Sequence, residues 1–280
     1  MKLGVIDPGG ALRAIYAAGV LDRWLELGIN VDVAVGVSAG SANLAAYLAQ
    51  QKMRNYVFYT EYSQRPQYMG LHNFLRTGSY LNLEYIYGTL SRKDGEYPLD
   101  FPRMMENPSE FIIVATEART GQPHYFDKRD FRQDWYDPFK ASSAIPGFCR
   151  SWKIDGEPYF DGAISDPIPV DKAFERGCDR VVVILSRPKD TLRQPGTDPI
   201  MARRIRIKYP KAARRLIEYS DTYNQAVARA KELEKEGRVL IIAPDDISGV
   251  RRLGRDTAPL KALHAKGYRD AEAVVPFLAS

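Results

Sequence analysis

Apolar residues along the first fifty positions follow two spacings. Residues 2–6 and Val31 to Val35 are short, nearly continuous apolar runs, whereas between Ala11 and Glu26 the apolar residues Leu12, Ile15, Val20, Leu21, Trp24 and Leu25 recur at helical intervals. The short runs predict buried strands and the longer pattern an amphipathic helix, ended by Gly28. Ser38 falls in a tight turn after the second run, and Ala39 to Gln50 reads as a helix rich in small residues. The order strand, glycine loop, helix, strand, turn, helix predicts a parallel sheet with crossover helices.

Further strands are expected at Phe111 to Thr116, Arg180 to Ser186 and Arg238 to Ala243, and Tyr159-Phe160 reads as a short strand running into Asp161-Gly162. The stretch from Tyr56 to Pro102 is rich in tyrosine. Tyrosine has an apolar body and a polar tip, so these side chains either wall a lipid-accepting groove or cap the core. Residues 187–200, with three prolines, read as a loop. Thr222 to Glu236 predicts a surface helix stopped by Gly237, and Pro259 to Ala279 two short helices around Gly267. The fold class expected is α/β: a mostly parallel central sheet with helices on both faces, over residues 1–190, and a mainly helical C-terminal extension, 191–280, packed on it.

Composition narrows the class. With 45% hydrophobic and 27% charged residues, the chain is an ordinary globular sequence rather than a disordered or fibrous one. The longest aliphatic run, Val181 to Leu185, is far short of the ~20 residues of a membrane span. The opening residues lack the apolar core of a signal peptide. Two cysteines, Cys149 and Cys178, exclude a disulfide scaffold, so a cytoplasmic location is expected. The three histidines, His72, His124 and His264, are scattered, and no metal site or cofactor is expected. The net charge is +5, but Arg203, Arg204, Arg206, Lys208, Lys211, Arg214 and Arg215 stand together without an acid among them. This block either faces solvent or docks on anionic membrane; a nucleic-acid partner is not expected.

Candidate chemistry centres on Gly36-Val37-Ser38-Ala39-Gly40, a G-x-S-x-G placed between a strand and a helix, the context of a nucleophile elbow. Only small neighbours leave room for a serine in so sharp a turn. The alternative reading is a serine N-cap. A serine nucleophile needs a base. His264 is one candidate, but its basic helical surroundings read as protein surface. Asp161 is the better one, because a strand ending in Asp161-Gly162 presents the carboxylate at a sheet edge. The alternative is that Asp161-Gly162 is only a turn. The Gly9-Gly10 loop lies at the same sheet edge as Ser38 and can offer backbone N–H groups to an oxyanion. It fits neither a dinucleotide-binding glycine pattern nor a P-loop.

Gly9-Gly10-x-x-Arg13, Gly36-x-Ser38-x-Gly40 and Asp161-Gly162, in that order, resemble the patatin-like phospholipases, as do Gly19-Val20-Leu21, Ala141 to Pro146 and Asp166-Pro167-Ile168-Pro169. The C-terminal region is similar to the tail of a bacterial intracellular branch. The resemblance implies a Ser38–Asp161 dyad, an oxyanion hole from Gly9, Gly10 and Ala11, an Arg13 that braces the loop, and hydrolysis of lipid acyl esters. The sequence departs from the family pattern at Pro8, Ala11, Ala14 and Ala163. The altered glycines keep open a non-catalytic lipid-binding protein on a decayed hydrolase scaffold, and an α/β-hydrolase using His264 is the enzyme alternative.

Overall fold

The structure, a computed structural model, describes residues 1–247, 249–250, 253–254 and 256–279. Strand β1 (Leu3–Asp7) leads through a 3-10 turn at Ala11–Ala14 into helix α1 (Ile15–Leu27), and β2 (Val33–Val37) turns at Ser38 into α2 (Ala39–Leu48). Helices α3 (Arg54–Thr60) and α4 (Leu71–Thr77), a π-helical turn at Glu84–Leu90 and α5 (Phe101–Glu106) bring the chain to β3 (Glu110–Glu117) and β4 (Pro123–Asp127). Next come α6 (Asp137–Ser142), β5 (Trp152–Ile154), β6 (Glu157–Asp161), α7 (Val170–Glu175) and β7 (Arg180–Ile184). The C-terminal part holds α8 (Asp198–Ile205), α9 (Pro210–Lys235), β8 (Val239–Ile242), α10 (Thr257–Asp270) and α11 (Val274–Ala279).

The strands form one sheet in the order β5-β6-β3-β2-β1-β7-β8, with β4 also paired to β3. β3, β2, β1, β7 and β8 are mutually parallel, and β4, β5 and β6 add antiparallel pairs at one side. Every residue of β1 and β2 is buried, as expected where helices cover both faces. Alternate strand residues divide the core. Val5, Ala34, Ile113 and Val182 face Leu44 of α2 and Leu260 of α10. Ile6, Val35, Val114 and Val183 face Ala173 of α7 and Val227 of α9.

Three elements depart from the sequence pattern. The helix expected from Thr222 begins at Pro210, because Ala212, Ala213, Leu216 and Ser220 continue the buried stripe of Tyr223 and Val227 beneath the basic residues. The chain does not break at Gly267; α10 runs through it and gives way only at Ala271. A Cβ on Gly267 would overlap the carbonyl oxygen of Tyr16 on α1, and one on Gly19 would overlap the carbonyl of His264 on α10. The two helices touch backbone to backbone, and their glycines exist for that contact. The helix expected from Ala11 starts as a 3-10 turn, because the loop before it is built from positive φ angles. Strands β4 and β5 were not legible: one is a half-buried edge strand opened by proline, the other only three residues long.

Gly267→Val should therefore loosen α10 from α1 and lower stability by roughly 1–3 kcal/mol. Urea unfolding measures it, and an unchanged midpoint would show that the helices do not meet as closely as described.

Candidate active site

The sheet register joins Ser38 to Asp161. β2 pairs with β3 as far as Val37 opposite Val114. β6 then pairs antiparallel with β3, with Asp161 opposite Ala115, the next residue along. β4 holds the other edge of β3 from Ile112 to Thr116, so β2 and β6 share one edge and meet end to end. Ser38 and Asp161 are the residues at that junction. The Ser38 hydroxyl donates to Asp161 Oδ2 at 2.6 Å, and both side chains are buried.

The local backbone fixes both partners. Ser38 sits at φ 55°, ψ −131°, a conformation that costs a non-glycine residue about 1–3 kcal/mol. Its N–H donates to Ser142 Oγ at 2.8 Å, and Ser142 donates in turn to the Val114 carbonyl at 2.6 Å. Gly36 and Gly40 flank the turn because a Cβ at either would run into the backbone, of Ser41 and of Asp7 respectively. Asp161 accepts the Ala163 N–H at 2.9 Å on Oδ1, which leaves Oδ2 for Ser38. Gly162 fits because a Cβ there would overlap the Val114 carbonyl. Alanine at 163 therefore changes nothing that the carboxylate needs: its N–H is what binds.

The loop between β1 and α1 needs one correction to the expected donor set. Gly9, Gly10 and Ala11 all have positive φ, at 71°, 134° and 53°. The Gly9 N–H is turned onto Asp7 Oδ1 at 2.8 Å and is not free for an oxyanion. Among the described residues the N–H groups of Gly10 and Ala11 have no hydrogen-bond partner, so these two remain as donors. Ala11 keeps its N–H where the family has glycine, at the strain of an alanine in the left-handed region, about 1 kcal/mol or more. Arg13 braces the loop: its N–H reaches the Gly10 carbonyl at 3.3 Å and its Nε the Val250 carbonyl at 2.9 Å.

Asp7 went unrecognised in the sequence, where it is only the last residue of a strand. It is fully buried, and burial pushes its carboxyl up to about 7 against the opposing hydrogen bonds from Asn43 and Gly9. Asn43 donates to Asp7 Oδ2 at 2.8 Å and to the Ala14 carbonyl at 2.9 Å, and accepts from Tyr59 at 3.0 Å. The sequence signal was present in principle, as an ionisable residue at the end of an otherwise apolar strand.

Two kinds of space adjoin Ser38. A cleft runs from Gly10, Ser38 and Asp161 out to Arg187, Arg193, Met201 and Tyr219. Arg193 pairs with Asp198 at 2.6 Å and lies 4.0 Å over the Tyr219 ring, and Arg187 lies 5.6 Å over Tyr223. On the other side an apolar cavity is lined by Ser38, Leu12, Tyr59, Leu81, Ile86 and Tyr87. It shares Ala39, Tyr59, Tyr68, Ile86 and Tyr87 with a second cavity beside it. Thus part of the tyrosine-rich stretch walls these cavities, while Tyr56, Tyr62 and Tyr97 pack against other side chains.

His264 is not at the site. It is buried on α10, 2.8 Å from Asp22 of α1 and stacked edge-on against Tyr56, which overturns both its surface reading and its role as base. The basic block divides between α8 and the start of α9. Arg203, Arg204, Arg206 and Arg214 are exposed, Arg214 pairs with Glu218, and Arg215 is half-buried and donates to the Gly121 carbonyl. Among the described residues no helix is long and apolar enough to cross a membrane, and no cluster of three or more metal-binding side chains occurs.

The patatin-like phospholipase family model matches residues 5–174, which span both Ser38 and Asp161. The chain belongs to this family. A second match, to a domain of unknown function (DUF6363), covers residues 209–279. Uncharacterized protein YjjU of Escherichia coli (strain K12) is 31% identical over 199 residues, 69% of this chain and 54% of that protein. The chain thus spans about half the length of this curated relative. Among solved structures, VipD from Legionella pneumophila is similar at a TM-score of 0.50 and 12% identity, over 98% of this chain and 67% of that one. That likeness is one of fold, and it places the patatin-like sheet and the helical C-terminal part in one comparison.

The buried Asp7 makes a pH prediction. Its folded carboxyl titrates near 7 and its unfolded one near 3.8, so the folded state holds an extra proton between these values. The stability this confers is complete below about 3.8 and is lost as pH rises to about 7. In Asp7→Asn this contribution to the pH slope should vanish. Denaturant unfolding of both proteins from pH 4 to 8 reads the difference, and parallel profiles would show that Asp7 does not titrate there.

Proposed function

We propose that the chain is a serine acyl hydrolase of lipid esters, either a phospholipase A-type enzyme or a more general carboxylic ester hydrolase, with Ser38 as nucleophile and Asp161 as base. The observation that carries this reading is the 2.6 Å hydrogen bond from the hydroxyl of a strained Ser38 to Asp161 Oδ2. A hydroxyl so placed can lose its proton to the carboxylate as its oxygen attacks the ester carbonyl carbon. The carbonyl oxygen, gaining negative charge, takes the N–H groups of Gly10 and Ala11, and the N-terminal end of α2 lies beneath it. Collapse of the tetrahedral intermediate breaks the ester bond, and the departing alcohol oxygen takes the proton from Asp161. Water then attacks the acyl-serine and gives a proton to Asp161; as the Oγ–acyl bond breaks, Asp161 passes that proton to Ser38 Oγ, which releases the acid and restores the hydroxyl and the carboxylate.

The spaces beside Ser38 support a lipid substrate. The apolar cavity suits an acyl chain, and the cleft with Arg187 and Arg193 suits an anionic head group. Exposed Ile200 and Ile207 stand among the exposed arginines of α8 and the turn after it, and Asp198 and Met201 on the same helix line the cleft. A basic surface with projecting apolar side chains at the mouth is suited to docking on anionic lipid. We therefore read the protein as one that meets its substrate at a membrane surface without spanning it.

Hydrolysis of p-nitrophenyl esters of graded chain length tests the chemistry. Ser38→Ala should remove turnover, and Asp161→Asn should lower kcat by at least about a hundredfold with the fold intact. Turnover that survives in Ser38→Ala would end the nucleophile assignment. If no ester is turned over and a fluorophosphonate probe fails to label Ser38, the non-catalytic lipid-binding reading replaces it. For docking, co-sedimentation with phosphatidylglycerol-containing vesicles should fall as salt rises and fall again in Arg203→Glu/Arg206→Glu. Binding indifferent to lipid charge and salt would remove the docking surface.

A further inference from the structure

The second of the two adjoining cavities has a buried cation in its wall. Arg54, the first residue of α3, is 4% exposed and lines this space with Ala42, Phe58, Tyr87, Tyr136 and Phe139. Its Nη2 donates to Ser91 Oγ at 2.9 Å and to the Tyr97 carbonyl at 3.1 Å, and its Nε to the Pro98 carbonyl at 3.4 Å. The guanidinium lies 4.4 Å over the Phe58 ring and 5.6 Å from that of Tyr97. Among the described residues no carboxylate pairs with it, and Nη1 has no hydrogen-bond acceptor. The titratable groups nearest it are tyrosine hydroxyls, which are neutral at ordinary pH, and burial lowers its affinity for its own proton.

Such an arrangement is costly for a fold. Buried charges are normally matched by an opposite charge, and an unmatched one in an apolar space is strongly disfavoured. Three neutral acceptors explain why Arg54 can hold the 91–98 loop. They do not explain why a guanidinium, rather than a neutral donor, faces an aromatic cavity with a free N–H edge. The N–H bonds of Nη1, left open while Nε and Nη2 are engaged, suit a carboxylate oxygen. The cavity shares five lining residues with the one that opens on Ser38, so the two adjoin and Arg54 lies one cavity away from the serine.

We propose that Arg54 is a binding residue for the carboxylate of an alkyl chain held in this cavity. The carboxylate is either the far end of an acyl chain whose ester lies at Ser38, or the head of a separate fatty acid. The first form rests on the hydrolase reading above; the second does not. In either form the ligand supplies the counter-ion that the chain itself lacks, and Arg54 selects for chain length because it marks a fixed depth in the cavity.

Two measurements on the full chain test this, each with wild type, Arg54→Met and the charge-conserving Arg54→Lys. One compares kcat/KM for p-nitrophenyl monoesters of dicarboxylic acids with that for the monocarboxylic esters of equal length. A substrate carboxylate at Arg54 predicts a preference of about ten- to a hundredfold at one chain length, reduced towards unity in Arg54→Met and partly kept in Arg54→Lys. The other measures calorimetric binding of decanoate against decanol. A separate fatty acid predicts that decanoate wins by a similar factor in wild type, that Arg54→Met loses the advantage, and that the ester series shows no preference. The wild-type comparisons stand alone should Arg54→Met fail to fold. If wild type prefers the carboxylate in neither experiment, or if a preference persists undiminished in a folded Arg54→Met, the proposal is overturned and Arg54 is a loop clamp. If no ester is turned over at all, the hydrolase reading fails by itself, and decanoate binding still decides the role of Arg54.

Discussion

One edge of β3 is shared by two strands running towards each other, and the candidate site depends on that arrangement. β2 uses the edge up to Val114, and β6 uses it from Ala115 onward. A parallel sheet alone would deliver Ser38 to its carboxyl end without a partner. An antiparallel strand on the same edge brings Asp161 to it within one residue of register. Because a strand slipped by one residue turns every side chain to the opposite face, the sheet holds the pair more firmly than a loop could. Ser142, between the Val114 carbonyl and the Ser38 N–H, fills the place where neither strand can supply the ladder bond.

Beneath this junction lies a polar core within an apolar one. Asp7, Asn43 and Tyr59 link the first loop to α2 and α3, and each polar group in the chain of bonds has a partner. Such a network is stable only when it is satisfied throughout. Its placement explains why Gly9 is not an oxyanion donor: its N–H is spent on fixing the loop. The next two residues are thereby held with their N–H groups unengaged. Gly9 ties the loop down, and the positive φ of Ala11 is the local strain that the loop carries beside it.

Much of this was legible from the sequence, for physical reasons that differ between elements. The parallel strands were readable because burial on both faces leaves apolar runs such as Val181 to Leu185. The elbow was readable because sterics restrict residues 36 to 40 to a short pattern. What escaped was context. Glycine 267 looks like a helix breaker until α1 is seen against it. The buried stripe of α9 was hidden in the sequence by Lys211, Arg214 and Arg215, which alternate with it along the first turns. His264 looked exposed because the residues around it are basic, yet only its neighbours on the helix reach water. Asp7 and Arg54 were illegible because a single charged residue in an apolar segment carries no period and no spacing. Their meaning comes from what the fold places opposite them.

These two buried charges also show how the fold treats polarity around Ser38. Asp7 is accommodated within the protein: burial raises its proton affinity, and two fixed donors, Gly9 N–H and Asn43, solvate the carboxylate when it is charged. Arg54 has only neutral acceptors and an open side. A guanidinium has no easy neutral form, so the means available to Asp7 are closed to it. Either water held by the hydroxyls of the lining tyrosines or an incoming anion must complete its surroundings. The asymmetry thus follows from the side-chain chemistry itself: a buried acid can take up a proton, whereas a buried arginine stays charged and must be completed from the cavity beside it.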